Sequence, residues 1–277
     1  MKSEIRNTGR GKMLFLSDGR TEIGCALEFG IRVSHLSVAG MENIFYEQPA
    51  DCSDGLITDD GWKLYGGHRI WNTPEDGTCN YPDNDPVDYE LSPDGVILRQ
   101  KEESWRHIEK ELHIRFLQDG RIELTNLVRN MADEAVDTAA WGVNTLSGGD
   151  VEVDYIPAEV VAGAPGRFVS LWGDTSIADE RLSWSREHLS AKYKPVKDYF
   201  KLGMYTAAGI ASYTNKGQRF NLMFGTEHVG HYPDNGCNFE LFMHKDFIEM
   251  ESLGRIMHLS KGECAVHTEY WRIEENK

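Results

Sequence analysis

The segment HYPDNGCNFELFMHKDFIEMESLG, His231–Gly254, contains two short stretches in which apolar side chains recur at every second position. Alternate residues of a β-strand share a face, so each stretch predicts a strand with one apolar face. The two apolar faces match when a four-residue loop, His244–Phe247, joins the strands; a two-residue loop gives the same register, but Lys-Asp is a poor type I′ turn. The segment therefore predicts an antiparallel hairpin. The apolar residues that it brings together are Phe239, Leu241, Met243, Ile248 and Met250.

The opposite face of this hairpin carries two glutamates, Glu240 and Glu251, directly across from each other. Their Cβ atoms are expected about 4.5–5.5 Å apart, and like charges in this arrangement destabilise a sheet. Two carboxylates about 4 Å apart repel each other by about 4 kcal/mol at an effective dielectric constant of about 20. A solvated face would screen this repulsion. If the face is not solvated, the repulsion must be compensated by a proton, by a hydroxylated ligand or by a cation. Arg69 is the first candidate for the cation.

Further side chains are predicted on the same face as the two glutamates. Glu249 and His244 are polar, whereas Phe242 and Phe247 are aromatic. Aromatic rings beside carboxylates suit a partly enclosed groove better than an open surface. The hairpin therefore predicts an acidic groove that is lined in part by rings.

The rest of the chain repeats the strand pattern and shows almost no helical periodicity. Short alternating runs recur between turn signals, which is typical of an all-β sandwich or barrel; the clearest hairpin is Glu111–Asn130. Only Ala178–Leu189 has a pattern that would suit a short helix. Two stretches, Glu47–Arg69 and Asn72–Gly95, are predicted as long loops, where sites are common. No change in composition marks a boundary, so residues 1–277 are predicted to form one all-β domain.

Composition limits the classes of partner. The chain has 277 residues and a net charge of −16, which opposes binding to nucleic acid and to anionic membranes. No apolar run is long enough for a transmembrane helix, the start is too polar for a signal peptide, and the five scattered cysteines suggest reduced thiols in the cytoplasm. The chain has no nucleotide-binding or serine-hydrolase motif, so no cofactor is expected. His228 and His231 have the spacing of some metal ligands, but nothing nearby completes a set, so no metal is expected.

Two other segments carry candidate ligand-binding residues. In YGGHRIWNTPED, His68 and Arg69 follow two glycines and precede Trp71; arginine offers a planar fork of donors, and tryptophan an apolar face for a sugar ring. In WGVNTLSGGD, Trp141 and Asn144 could line a pocket before a Gly-Gly turn. In both segments the alternative is a purely structural role, as an ion pair under a loop or as packing and a turn cap.

Taken in order, these motifs resemble the galactose mutarotase-like superfamily, the aldose 1-epimerases and their relatives. The likeness covers roughly residues 10–273 and is mostly one of pattern. It is greatest to a bacterial branch of unknown function, marked by a GG-H-R-x-W turn and a C-terminal F-E-L-F…E-x-E-S-L-G hairpin. The resemblance implies that the fold is a large antiparallel β-sandwich.

The resemblance also implies roles for individual residues. Arg69 corresponds to an arginine that contacts the sugar, and Glu251, which precedes Leu259–Glu263, corresponds to the catalytic base. The catalytic histidine of the family falls on Trp141, so this chain departs from the family at that position. The general acid would then be His68 or His244.

Three functions remain open from the sequence. The first is a sugar-binding enzyme that interconverts anomers, with Glu251 as base and with Glu240, Glu249, Arg69 and Asn144 binding hydroxyls while Trp71 or Trp141 stacks on the ring. The second is a non-catalytic carbohydrate-binding module, favoured by the missing histidine. The third is a lyase or isomerase on an acidic sugar, which the acidic groove disfavours. The expected partner in each case is a small carbohydrate, and the oligomeric state is left open.

Overall fold

Two ten-stranded antiparallel sheets make up the protein, as seen in a computed structural model that describes residues 1–49, 62–76, 84–154, 168–173, 175–196, 199–226 and 231–277. The strands of the first sheet, in chain order, are β1 (Lys2–Thr8), β2 (Gly11–Ser17), β3 (Thr21–Ala26), β4 (Arg32–Val38), β5 (Gly67–Asn72), β11 (Ala140–Ser147), β13 (Val169–Leu171), β16 (Phe200–Met204), β19 (Phe239–Met243) and β20 (Phe247–Leu253). Those of the second sheet are β6 (Asp88–Leu91), β7 (Gly95–Arg99), β8 (Ile108–Phe116), β9 (Ile122–Asn130), β12 (Asp150–Asp154), β14 (Leu182–Trp184), β15 (His188–Lys192), β17 (Ile210–Asn215), β18 (Gln218–Phe224) and β22 (Cys264–Glu275).

The spatial order of the strands places the predicted hairpin inside the first sheet, as its seventh and eighth strands. That sheet runs β1-β2-β3-β4-β5-β11-β20-β19-β16-β13, and the second runs β14-β15-β12-β17-β18-β22-β9-β8-β7-β6. A separate two-stranded pair joins β10 (Val136–Thr138) to β21 (Met257–Leu259). The helix-like segment among the described residues is one turn, α1 (Pro233–Gly236), in which Asp234 and Asn235 have φ values of 50° and 66°.

A single hydrophobic cluster lies between the two sheets. It contains Leu241 and Met250 from the hairpin in the first sheet, and Leu124 and Trp271 from β9 and β22 in the second. The face of the first sheet that points into this cluster is called the inner face, and the opposite one the outer face. The all-β sandwich prediction is confirmed. No helix in the described part of the chain is long and apolar enough to cross a membrane.

Both predicted hairpins are present, and the predicted helix is wrong. The hairpin predicted in Glu111–Asn130 is β8 and β9, joined across the turn at Gly120. The helix predicted at Ala178–Leu189 is instead the hairpin of β14 and β15. Its turn is held by Ser185, whose hydroxyl accepts the backbone N–H of His188 at 2.9 Å. A serine that bonds its neighbouring backbone in this way competes with helix formation.

The two predicted long loops are only partly described. Residues 50–61 and 77–83 lie outside the described part of the chain. Within the second predicted loop, Asp88–Leu91 forms β6 and pairs with β7, so this part of the loop prediction is wrong. The sequence carries a signal for this strand, since Asp88 and Glu90 alternate with Tyr89 and Leu91, although all four residues are exposed.

Candidate functional site

The hairpin of β19 and β20 has the predicted register. Glu240 lies opposite Glu251 and Leu241 lies opposite Met250, and the backbone N–H of His244 bonds the carbonyl of Phe247 to close the four-residue turn. Because Leu241 and Met250 point into the core, the two glutamates point to the outer face. Their exposed fractions are nevertheless only 0% and 2%. The chain therefore holds two facing carboxyl groups, called the carboxylate pair below, almost out of contact with solvent.

The cation that compensates this pair is Lys201, on the neighbouring strand β16. Its Nζ lies 2.9 Å from Oε2 of Glu240 and 3.3 Å from Oε2 of Glu251, and the exposed Glu75 lies 3.8 Å away. The sequence had pointed to Arg69 for this role and had missed Lys201. A signal was present, because Lys201 interrupts the apolar residues of FKLGM and so marks the outer side of a strand.

Burial and charge together determine the protonation of the cluster. Burial raises the pKa of both Glu240 and Glu251, and the nearby Lys201 ammonium only partly offsets this effect. Burial opposes charge on Lys201 as well, but the carboxylates of Glu251 and Glu240 outweigh it and raise the pKa of the lysine. We therefore expect one ammonium, one carboxylate and one protonated carboxyl near neutral pH. Oε1 of each glutamate has no hydrogen-bond partner among the described residues.

A row of tryptophan rings and cations crosses the outer face beside the carboxylate pair. The Arg69 guanidinium lies 4.2 Å from the ring centre of Trp71, which meets Trp141 edge to face at 5.6 Å. Lys201 Nζ lies 4.8 Å from the ring centre of Trp141. Trp62 lies beyond Arg69 at one end of the row, and Trp172 lies beyond Lys201 at the other. The members, called the tryptophan row, are in order Trp62, Arg69, Trp71, Trp141, Lys201 and Trp172.

The structure thus brings Arg69, Trp71 and Trp141 together on the face that carries the carboxylate pair. Arg69 is 4% exposed and Trp71 is half-buried, whereas Trp141 is 0% exposed. Trp71 has surface left for a ligand. Trp141 packs between Trp71 and Lys201, so its position suits support of the lysine better than stacking on a sugar.

Glu249 and His244 continue along the same face of the hairpin. Glu249 accepts a hydrogen bond from the hydroxyl of Thr145 at 2.8 Å. His244 lies at the turn, four residue pairs along the hairpin from Glu251, where its ring stacks on Phe247 at 4.8 Å. Phe247 in turn packs with Trp62. Apolar rings therefore cover this end of the outer face.

His68 and Asn144 lie on the inner face, on the other side of the sheet from Glu251. Both are fully buried, and His68 Nδ1 lies 3.0 Å from Oδ1 of Asn144. The other ring nitrogen of His68 lies 2.9 Å from Oδ1 of Asn126, on β9 of the second sheet. The structure therefore does not bring either residue to the carboxylate pair.

These two side chains belong to a buried polar network between the sheets that sequence reasoning did not find. Its centre is Glu269 on β22, which accepts hydrogen bonds from Ser252, Trp271 and Asn144 at 2.5, 2.8 and 3.3 Å. The Ser252 hydroxyl also lies 2.6 Å from Nε2 of His267, and burial lowers the pKa of that histidine to about 4. Ser252 directly follows Glu251, so the network anchors the strand that carries the candidate base.

One group of possible metal ligands lies elsewhere, on the second sheet. Ligand atoms of Glu152, Asp154 and His188 lie within 4.8 Å of one another. His188 Nδ1 already pairs with Asp154 at 2.7 Å, and all three residues are exposed or half-buried. This geometry is that of a hydrogen-bonded pair at the surface. Of the two histidines whose spacing resembles that of metal ligands, His228 lies outside the described residues.

Comparison with known proteins gives a structural answer only. No family model matches the chain, and neither does any curated protein sequence. A candidate aldose 1-epimerase of Escherichia coli K12 has a TM-score of 0.60 at 11% identity, over 99% of this chain and 100% of that one. A galactose mutarotase-like protein of Clostridium acetobutylicum has a TM-score of 0.58 at 10% identity, over 99% and 98%. A galactose mutarotase-like protein of Lactobacillus casei has a TM-score of 0.54 at 12% identity, over 95% and 100%.

The chain has the galactose mutarotase-like fold. At identities near one residue in ten, the likeness to these structures establishes the architecture and leaves the chemistry to the chain's own residues. Within the galactose mutarotase-like fold, the described residues that combine burial, charge and unpartnered oxygens are those around the carboxylate pair.

Proposed function

We propose that the outer face of the first sheet binds a small carbohydrate and interconverts its anomers. The observation that supports this proposal most directly is the carboxylate pair. Glu240 and Glu251 are buried beside Lys201, and each keeps an Oε1 atom without a hydrogen-bond partner among the described residues. A buried acceptor without a donor is costly, and the hydroxyl groups of a sugar are suitable donors.

Anomer exchange requires one base and one acid. The base removes the proton of the anomeric hydroxyl while the acid protonates the ring oxygen, and the bond between the anomeric carbon and the ring oxygen breaks to leave the open-chain aldehyde. After rotation of the aldehyde, the same oxygen attacks its other face. The two protons then return in the reverse sense, so atoms and charge balance over the cycle.

The carboxylate pair suits both directions of this reaction. Glu251 acts as the base, and the protonated carboxyl of Glu240 acts as the acid. A pair that shares one proton can exchange these roles when the ring closes, and Lys201 keeps the second carboxyl ionised. Arg69 and Glu249 lie on the same face and would bind hydroxyls, while the half-buried ring of Trp71 would contact the sugar.

The first test is the replacement of Glu251 by glutamine. We expect Glu251→Gln to lower the rate of anomer exchange by about 10²–10⁴-fold, the usual contribution of a general base. The measurement is NMR exchange spectroscopy on a panel of neutral aldoses, with the exposed Glu274→Gln on β22 as the matched control. Exchange at the wild-type rate in Glu251→Gln would remove Glu251 from the mechanism.

A second function is supported by the burial of Trp141. This tryptophan occupies the position at which the resemblance places the catalytic histidine, and it is fully buried against Lys201. A groove without that histidine could bind sugar without acting on it. In the same NMR experiment, saturable chemical-shift changes on addition of wild-type protein without faster exchange would favour this non-catalytic function. Adding uronic acids to the panel tests the acidic-sugar alternative.

A further inference from the structure

The first sheet ends in an exposed edge strand, β1. This strand has seven residues and pairs with β2 on one side, and no other described strand pairs with its second side. The other three sheet edges are shorter, at three residues for β13, three for β14 and four for β6. Among the described strands, β1 therefore offers the longest row of unpaired backbone donors and acceptors, which is a template for strand addition.

One apolar side chain on this edge lacks the cover that its position calls for. Ile5 lies opposite Leu14, which is 1% exposed and belongs to the core, so Ile5 is on the inner face of the sheet. Its exposed fraction is nevertheless 52%. The core-facing side of the sheet thus continues to the edge and ends in an isoleucine that is open to solvent.

Two of the three charged residues of β1 lie symmetrically about Ile5, whereas the symmetric counterpart of the third, Lys2, is the uncharged Thr8. Glu4 precedes it and Arg6 follows it, and both lie on the outer face. Arg6 donates two hydrogen bonds to Glu22 on β3, at 3.0 and 2.9 Å, and its Nε also bonds Glu4 of the same strand. A two-fold rotation about Ile5 therefore exchanges an acidic position with a basic one.

We propose that β1 pairs with β1 of a second copy of this chain, antiparallel and with the two-fold axis at Ile5. In this register Ile5 faces the partner's Ile5, and Glu4 faces the partner's Arg6 on both sides of the axis. Opposite charges across an antiparallel pair are stabilising and like charges are not. The two first sheets then form one continuous sheet across the dimer.

Alternative registers are less favourable because they pair like charges or bring Ile5 opposite a charged side chain. A shift of two residues in one direction places Glu4 opposite Glu4, and in the other direction Arg6 opposite Arg6, which is repulsive. A shift of one residue brings Ile5 opposite a charged residue of the other face. Charges on an edge strand usually prevent association, but here the alternation of sign makes the edge complementary to itself.

Paired charge reversals test the dimer. We expect the wild-type chain to dimerise as its concentration rises in sedimentation velocity experiments, and Glu4→Arg alone or Arg6→Glu alone to weaken dimerisation at least tenfold. An equimolar mixture of the two variants should dimerise again, because each facing pair then has opposite charges. A monomeric wild type at every concentration, or a mixture no better than the single variants, would overturn the proposal. Thermal melting of each variant shows that it is folded.

Cross-linking tests the register separately. On mild oxidation Ile5→Cys should form a disulfide-linked dimer, because the two substituted positions face each other at the axis. Ser3→Cys alone should not, since the two copies of that position are about 14 Å apart along the strands. A mixture of Ser3→Cys and Asn7→Cys should cross-link, and the unsubstituted chain controls for native cysteines. Equal cross-linking at all three positions would refute the register. None of these readouts depends on sugar binding.

Discussion

At the scale of single residues, Lys201 determines what the two facing glutamates can do. Without a cation nearby, burial would favour protonation of both carboxyl groups. With Nζ within 3.3 Å of both, one proton suffices and the cluster carries no net charge. The sequence correctly predicted the facing of Glu240 and Glu251, because alternation in both strands allowed one matching register. It did not identify Lys201, which lies 39 residues before Glu240. The alternation of Phe200, Leu202 and Met204 marks its strand, but nothing in that pattern says which strand lies beside it.

Replacing Lys201 should make stability more dependent on pH. In Lys201→Met the pKa of both buried carboxyl groups rises further, so both stay protonated in the folded state. In the unfolded state both carboxyl groups lose their protons above the ordinary pKa of glutamate. A raised folded pKa stabilises at low pH, and that stability is lost as pH rises. Relative to wild type, we expect the free energy of unfolding to fall by about 1.4 kcal/mol more per pH unit between about pH 5 and pH 8.

Urea unfolding at several pH values measures this slope. The exposed Lys192→Met on β15 is the matched control, and its difference from wild type should not vary with pH in this range. A deficit in Lys201→Met that is the same at pH 5 and pH 8 would mean that the carboxylate pair does not titrate with the lysine.

At the scale of elements, the limits of sequence reasoning are clearest in β5 and β11. In β5, His68, Ile70 and Asn72 alternate with Arg69 and Trp71, so both faces mix polar and apolar residues and alternation cannot say which is buried. The inner face proved to be that of His68, because Glu269 and Asn126 of the second sheet supply its polar surroundings. Partners from another sheet leave no trace in the local pattern.

The buried network also makes a prediction about a glycine of β11. A Cβ atom at Gly142 would lie 2.2 Å from Oε1 of Glu269 and 3.2 Å from Cε1 of His68. Gly142→Ala should therefore displace the centre of the network and destabilise the fold by about 1–3 kcal/mol, as overpacking usually does. Gly225→Ala is the matched control, since a Cβ there has no neighbour within 4 Å. Equal urea midpoints for the two variants would show that the network accommodates the added methyl group without a loss of stability.

At the scale of the whole molecule, a neutral cluster sits in a strongly acidic protein. The sandwich itself was predictable, because apolar and polar residues alternate in short runs along most of the chain and each run independently indicates a strand. The net charge of −16 can also be read from the sequence. Where the charges lie on the molecule depends on which strands become neighbours. The carboxylate pair is balanced by Lys201, so the excess negative charge lies mainly outside the site.

The excess charge should make stability sensitive to salt. Raising ionic strength from about 0.01 M to about 0.15 M shortens the screening length from about 30 Å to about 8 Å. Self-repulsion of a chain with net charge −16 then weakens, so the melting temperature should rise. Sucrose at matched osmolality, which screens no charge, controls for general solvent effects. A melting temperature that falls with salt would mean that surface ion pairs such as Arg6–Glu22 contribute more than net repulsion.

The tryptophan row has an optical consequence. Lys201 carries its charge within 5.0 Å of the ring centres of both Trp141 and Trp172, and a fixed charge at that distance shifts the electronic transitions of an indole ring. Any event that moves the lysine, changes its charge or inserts a sugar beside it therefore alters the ultraviolet emission of these two residues. The emission of Trp141 and Trp172 therefore offers a test of the proposed sugar site that requires no labelled ligand.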